Sequence, residues 1–448
     1  MYRTVGGRTP SIQRVALGAD RDGALTALIH TSVTRVGRVG GAPEQVTSQS
    51  RHLYDADHIL IQASTVELDL VPNTSMRAPG ESIGTFAVES AVDELAAELG
   101  VDPIELRMRN EPERNPLDGK EFTHRRLREV YEAGALRFGW RDRAPEPDAT
   151  RDGRWLVGMG VATAYHPAWL FTTNVTLRLS ADGTVLLRCG FQEMGMGAAT
   201  AQAQITADAL GVPVDAVRVE YGDSALPVAP TAGGSTQTAS VAASVLAAAE
   251  KLKRRLPKGS GADLVAAVRQ AGVPHVEVSV GSGARFGRLA GQARLIGRFV
   301  RDRRRVRAAT GAQLCEVRVD PDTGEVRISR WLGVFDIGTV VNAKTAASQL
   351  RGGIVMGIGM ALSEETLVDP RTGRIMNPSL AEYHVPVHAD VPRIGVSTLD
   401  DPEPSTPLGV VGAGEVGITG VAAAVANAVF HATGRRVRDL PITLDKLL

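Results

Sequence analysis

Cysteine is nearly absent: Cys189 and Cys315 are the only two in 448 residues, and no CxxC pair occurs. That argues against structural zinc, a Cys-ligated iron–sulfur cluster and a disulfide framework in this chain. Cys189 ends the apolar run LLRC and Cys315 opens CEVRVD, so both read as buried apolar thiols. An excess of either charge is also missing, with 50 Lys+Arg against 50 Asp+Glu, and no global field favours nucleic acid or an acidic partner. The basic runs at 251–258 and 301–307 lack interleaved aromatics, which make up only 4% of the chain; they read as solvated faces or partner contacts. No uninterrupted apolar run approaches the roughly 18 residues of a membrane span. The opening MYRTVGGRTPSIQRV lacks the apolar centre of a secretory signal. His384 and His388 stand at helical spacing, but Pro386 between them spoils a zinc helix.

What the chain has is glycine, 48 residues of it, gathered into loops that run into small-residue helices. Val411-Gly412-Ala413-Gly414-Glu415-Val416-Gly417 sets one carboxylate between glycines ahead of VAAAVANAVFHATG. Backbone N–H groups at a helix end make this a place to hold a base facing a bound group. A carboxylate that merely completes a cap explains it equally well. Three further loops share the design: Arg77-Ala78-Pro79-Gly80-Glu81-Ser82-Ile83-Gly84, Gln192-Glu193-Met194-Gly195-Met196-Gly197, and Ala232-Gly233-Gly234-Ser235-Thr236. One glycine loop is more often a turn than a site, whereas four suggest convergence on a large, multiply charged non-protein group.

The hydrophobic content of 43% and the length allow two or three domains with sizeable cores. Strands are expected at 13–17 and 25–30 around the turn Asp20–Gly23. An amphipathic helix follows the Arg77 loop, burying Val88, Val92, Leu95 and Leu99 and stopping at Gly100; Asp102-Pro103 then opens a short second helix. Residues 115–153 read as a polar linker carrying one helix at 124–138. From Trp155, a hairpin at 176–189 and another at 315–336 each lead into a helix, at 198–210 and 345–362, which suggests an internal duplication. The Arg/Gly-rich stretch 257–310 is expected at the surface. Hairpins with packed helices favour an α+β class over a regular βαβ sheet.

Five stretches, in order, resemble the molybdenum-cofactor-binding large subunit of the xanthine oxidase family, bacterial aldehyde oxidoreductases in particular. They are MRAPGESIGTFAVESAVDELAAELGVDPIELRMRN (76–110), FQEMGMGAATAQAQITADALGVP (191–213), PTAGGSTQTASV (230–241), GVFDIGTVVNAKTAASQLRGGIVMGIGMALSEE (333–365) and GAGEVGITGVAAAVANAVFHATGRRVRDLPIT (412–443). The resemblance implies two elongated molybdopterin-binding domains. The C-terminal part of the first would span 1–114, with the linker at 115–153 and the second domain at 154–448.

The same resemblance implies a molybdopterin cofactor, in its cytosine dinucleotide form, whose dithiolene rather than the protein holds the metal. The substrate would be an aldehyde or a heteroaromatic compound, oxidised with water-derived oxygen. Glu415 matches the family's general base, which deprotonates the metal-bound hydroxyl while hydride passes to the metal. Arg77 matches the arginine of the active-site loop; a salt bridge to Glu81 or Glu89 is its simpler alternative. Ala78, Pro79 and Gly80, the loop Gln192, Met194, Gly195, Met196 and Gly197, the loop Gly233–Gln237, Gln349, Gly412 and Gly414 match cofactor contacts. Gln349 reads equally as a polar position on its helix. Met196 stands where some members have glutamine, and Val411 where some have lysine.

With no electron carrier of its own, the chain implies a 2Fe–2S subunit and a FAD subunit as partners, in the cytoplasm or exported beside a signal-bearing partner. The family's N-terminal α/β domain and its Gly-Phe-Gly-Gly loop do not occur before Met1. A truncated, non-catalytic remnant or assembly module is therefore the rival reading. A nucleotide-binding protein is a weaker third, without a Walker lysine or a strand–GxGxxG–helix unit.

Overall fold

The computed structural model describes residues 3–257, 263–281 and 305–448. Parts of the basic and Arg/Gly-rich stretches, 258–262 and 282–304, lie outside the described residues. The chain opens with β1 (Ser11–Ala19) and β2 (Leu25–Gly37), an antiparallel pair turning at Asp20, whose carboxylate accepts the N–H groups of Asp22 and Ala24. β3 (His58–Leu68) runs parallel to β2 at the sheet edge. Helix α1 (Glu81–Leu99) covers one face, burying Val88, Val92 and Ala96 with Leu25, Leu28, Leu53 and Tyr54. It ends at Gly100 in the left-handed conformation, and the Asp102 carboxylate caps α2 (Pro103–Arg109) through the N–H groups of Ile104 and Glu105.

After the two-residue strand β4 (Glu121–Phe122), helix α3 (Leu127–Phe138) seats Leu127, Val130, Tyr131 and Phe138 in a core shared with the long sheet. That sheet has the strand order 393–398, 326–336, 308–319, β6 (Trp155–Pro167) and β5 (Arg151–Asp152). A second sheet begins with the hairpin β7 (Val175–Ser180) and β8 (Val185–Arg188). Helix α4 (Ala198–Leu210) then carries the chain to β9 (Val217–Glu220), parallel to β8. Helix α5 (Gln237–Lys253) and the short α6 (Leu264–Gln270) lead to β10 (His275–Val280), antiparallel to β7.

After β11 (Arg305–Val306) the pattern returns. The hairpin β12 (Ala308–Val319) and β13 (Val326–Asp336) is followed by α7 (Ala343–Leu362) and by β14 (Arg393–Thr398), parallel to β13. Helix α8 (Val421–Thr433) lies on β6 and β12 as α5 lies on β7 and β10. The two hairpin–helix segments thus share strand order and direction, and the expected duplication is a repeat of topology. They differ in that β10 ends the first unit whereas β6 precedes the second, and in that β5 adds a fifth strand beside β6.

Helix α8 sits against bare backbone. A Cβ added at Gly158 would lie 2.1 Å from the Ala428 carbonyl, and one at Gly160 2.3 Å from that of Ala424. Only glycine on β6 permits this approach. The alanines of α8 are almost all buried, which pins the N-terminal end of the helix and the glycine loop that feeds it. Both cysteines are free and buried. Among the described residues no helix is long and apolar enough to cross a membrane.

Candidate functional site

Glu415 lies in the turn before α8, with only 9% of its surface exposed. Its Oε1 accepts the backbone N–H of Ala78 at 3.0 Å, and its Oε2 accepts the Ser235 hydroxyl at 3.3 Å. The Glu415 N–H donates to Ser235 Oγ at 3.0 Å. Loops distant in sequence therefore close on one carboxylate. Both of its loop partners stand in the left-handed region, Ala78 at φ +55° and Ser235 at φ +52°. For a residue with a Cβ that conformation costs roughly 1–2 kcal/mol, and such strain gathers at functional sites. A Cβ on Gly412 would fall 1.9 Å from the Ser235 carbonyl oxygen, so these two loops touch backbone to backbone.

Arg77 ties the same turn to α7. Its Nε donates to the Gly414 carbonyl at 2.7 Å, and an Nη donates to the Gln349 carbonyl at 2.6 Å. The alternative salt bridge to Glu81 or Glu89 does not form: Glu89 pairs with Arg107, and Glu81 accepts from Ser48. Burial pulls the Arg77 guanidinium below its ordinary value, against the opposing charge of Glu415. Gln349 meets Arg77 chiefly through its main-chain oxygen, its side-chain oxygen standing at 3.4 Å.

The Gln192 loop reaches the Gly233 loop through Gln192 Oε1, which accepts the Ala232 N–H at 2.9 Å and faces Gln237 Nε2 at 3.4 Å. On its other side, Gly197 abuts Thr345 at the start of α7. The contacts run in a closed ring: Arg77 to Gly414, Glu415 to Ser235, Ala232 to Gln192, Gly197 to Thr345, and Gln349 back to Arg77. Thr236 is buried beside Ser235, and Gly80 donates its N–H to Glu44 Oε2 at 3.0 Å. Met194 stands apart from the ring, 74% exposed. A side chain on Gly195 or on Gly233 would meet nothing within 4 Å, and the buried Gln237 Oε1 has no hydrogen-bond partner.

Sequence reading missed several participants. His166, at the end of β6, brings Nε2 to 3.3 Å from Glu415 Oε2. Burial holds its pKa below the ordinary histidine value, with Glu415 opposing, so the imidazole beside the carboxylate is neutral at neutral pH. Nothing in the apolar run VATAYHP sets His166 apart from a core histidine. Glu193 was passed over although it stands within the loop motif. Its carboxylate accepts the N–H groups of Gly195, Gly197 and Ala199 at 2.9, 3.0 and 3.1 Å. Burial alone would raise its pKa, but those donors hold it below the ordinary value. The first N–H groups of α4 are thereby engaged from within the chain.

Behind the Arg77 loop, Arg8 donates to the Arg77 carbonyl at 3.0 Å and bonds Ser82. Burial pushes Glu81 up to about 7, with Glu415 and Glu44 adding to the push against the Ser48 hydroxyl. Of the aromatics at 165–171, Tyr165 is core and stacks on His52, whereas Trp169 and Phe171 are half-exposed, Trp169 within 4.0 Å of where a Gly234 side chain would begin. Among the described residues no group of three or more His, Cys, Asp or Glu could hold a metal ion.

Residues 1–111 and 133–392 each match a family model described as a molybdopterin cofactor-binding domain. The chain is 39% identical to the aldehyde oxidoreductase molybdenum-binding subunit PaoC of Escherichia coli (strain K12), over 98% of its own length and 61% of that protein. It is 30% identical to the putative xanthine dehydrogenase molybdenum-binding subunit XdhA of the same strain, over 96% of this chain and 61% of that one. It thus spans about three-fifths of the length of these curated relatives. The fold is that of the aldehyde oxidoreductase from Desulfovibrio desulfuricans ATCC 27774, with a TM-score of 0.84 at 24% identity, covering 98% of this chain and 49% of that one.

Proposed function

Because the chain belongs to the molybdopterin cofactor-binding family, we propose that it forms the catalytic part of a molybdenum hydroxylase. Its substrate is an aldehyde or, as the alternative, a heteroaromatic compound, oxidised with oxygen derived from water. The observation that carries this reading is Glu415, a carboxylate fixed on both oxygens at the meeting of the glycine loops. The residues suit a molybdopterin: Gly195 and Gly233 leave open space where a bound group can approach, and Gln237 keeps an unpartnered buried acceptor. Residues 78–80, 192–197, 233–237 and 412–414, with Gln349, would hold the cofactor in its cytosine dinucleotide form. When bound, the cofactor supplies the redox chemistry.

The chain's own part is positioning and proton handling. Ala78 and Ser235 fix the Glu415 carboxylate in one orientation, with His166 beside it, so that the carboxylate can accept a proton as general base. Arg77 anchors the loop by its two carbonyl bonds, and half-exposed Trp169 and Phe171 offer an apolar wall for an aromatic or aliphatic substrate. The names of the relatives as subunits support a hetero-oligomer, in which a 2Fe–2S subunit and a FAD subunit carry the electrons away. Cytoplasmic residence, with export beside a signal-bearing partner as the alternative, belongs to the same reading.

The test is Glu415→Gln in the co-expressed complex. Aldehyde turnover is expected to fall by about 10²–10⁴, the usual contribution of a general base, with molybdenum content unchanged. Near wild-type turnover would remove Glu415 from the role. The alternative reading is a non-catalytic assembly module of such a subunit. A folded complex that retains no molybdenum would support that module instead.

A further inference from the structure

Glu193 does for helix α4 what a bound phosphate does for a phosphate-binding loop. A helix usually takes its first acceptor from the N-cap side chain. Here the N-cap is Gly197, which has no side chain to offer. Two glycines in the left-handed region, Gly195 at φ +98° and Gly197 at φ +81°, turn the loop back on itself instead. The carboxylate of Glu193 thereby reaches the helix end. Its Oε1 accepts the N–H groups of Gly195 and Gly197 at 2.9 and 3.0 Å, and its Oε2 that of Ala199 at 3.1 Å. Main-chain N–H groups gathered in such a turn form a concave anion site, and the chain itself fills this one. No cation sits beside Glu193 to share its charge, so the N–H groups and the positive end of α4 carry that balance.

The same loop carries two joints of the ring around Glu415. Gln192 Oε1 accepts the Ala232 N–H at 2.9 Å, and a Cβ on Gly197 would lie 2.7 Å from the Thr345 side chain. One joint stands just before Glu193 and the other at the N-cap, so the carboxylate spans the segment between them. Without it, three donors lose their acceptor and two glycines regain their conformational range. The spacing of the joints would then no longer be set.

We infer that Glu193 is a positioning residue, a resident anion that keeps phosphate groups out of the Gln192 loop and holds Gln192 and Gly197 at their places in the ring. A second anion at these N–H groups would meet donors already engaged and a like charge beside them. The phosphates of a bound dinucleotide therefore lie elsewhere in the site, and this loop contributes shape rather than positive charge. That last consequence rests on the proposed cofactor site, whereas the filled anion site stands on the hydrogen bonds alone.

The test compares the whole chain with Glu193→Ala and with the near-isosteric Glu193→Gln. Amide hydrogen exchange at Gly195, Gly197 and Ala199 is expected to quicken about tenfold or more in Glu193→Ala, and by less in Glu193→Gln. Inorganic phosphate is expected to slow exchange at these three amides in Glu193→Ala and to leave them unchanged in the wild type. In the co-expressed complex, Glu193→Ala is expected to retain about tenfold less molybdenum than the wild type. Unchanged exchange in the variants, or phosphate protecting the wild-type amides as well, would overturn the resident anion. Full molybdenum content in a folded Glu193→Ala complex would overturn the positioning role. If Glu193→Ala does not fold, exchange and molybdenum content in Glu193→Gln decide both points. A wild type without molybdenum would defeat the proposed function instead, and the exchange and phosphate measurements would still decide this inference.

Discussion

The Ala78 N–H donates to Glu415 Oε1 at 3.0 Å, joining residues 337 positions apart. Ala78 is wholly buried and left-handed at φ +55°, so the bond is kept at a conformational cost. Everything proposed for Glu415 depends on this seam between the first domain and the C-terminal turn.

The seam on its other side is set by Gly412. Since a Cβ there would fall 1.9 Å from the Ser235 carbonyl, Gly412→Ala must displace one loop. The variant is expected to lose about 1–3 kcal/mol of stability, as overpacking does, together with most of its bound molybdenum. Thermal melting and metal analysis check this; full cofactor content would show that the Ser235 loop does not hold the cofactor.

Much of this arrangement was legible in sequence because glycine reports close backbone approach directly. The loops at 77–80, 233–237 and 412–415 announced themselves, as did the helices each loop feeds. His166 and Ser48 were invisible because a histidine in an apolar strand and a serine in a connecting loop look alike whether or not they face a site. Glu193 carried a signal, an acid just before a glycine pair and a helix, that propensity alone does not separate from a solvent-facing residue. Arg77 was read in the right loop, but its partners are main-chain carbonyls, which side-chain charge pairing cannot foresee.

Glu81 gives the protein a pH-dependent stability. Its folded value is about 7 against an ordinary 4.5, so the unfolded chain releases this proton first. The contribution of neutral Glu81 is whole below about pH 4.5 and is lost as pH rises through about 7, amounting to about 3 kcal/mol. Glu81→Gln stays neutral throughout, so its stability relative to wild type should rise by about that much between about pH 5 and about pH 8. Urea midpoints at the two pH values measure it, and a constant difference would contradict the assignment.

A buried ion pair within the first domain also takes a hydrogen bond from the long sheet. Glu89 accepts from Arg107 Nε at 2.9 Å, from the Thr163 N–H at 2.7 Å and from Tyr54, with both charged side chains fully buried. Glu89→Ala strands the guanidinium and should cost about 3–5 kcal/mol in chemical denaturation. A loss under about 1 kcal/mol would mean that water or another acid replaces the carboxylate.

Trp169 offers a test of substrate contact separate from chemistry. Trp169→Ala should raise KM about tenfold or more for an aromatic aldehyde while kcat changes little, the signature of uniform binding lost. A fall in kcat at constant KM would place the indole elsewhere in the reaction.

Diffraction from the cofactor-loaded complex at the molybdenum absorption edge tests the central claim most directly. One anomalous peak is expected inside the ring formed by Arg77, Gln192, Ser235, Gln349 and Glu415, beside the Glu415 carboxylate. A peak outside that ring, or a Glu415 side chain turned away from it, would contradict the account.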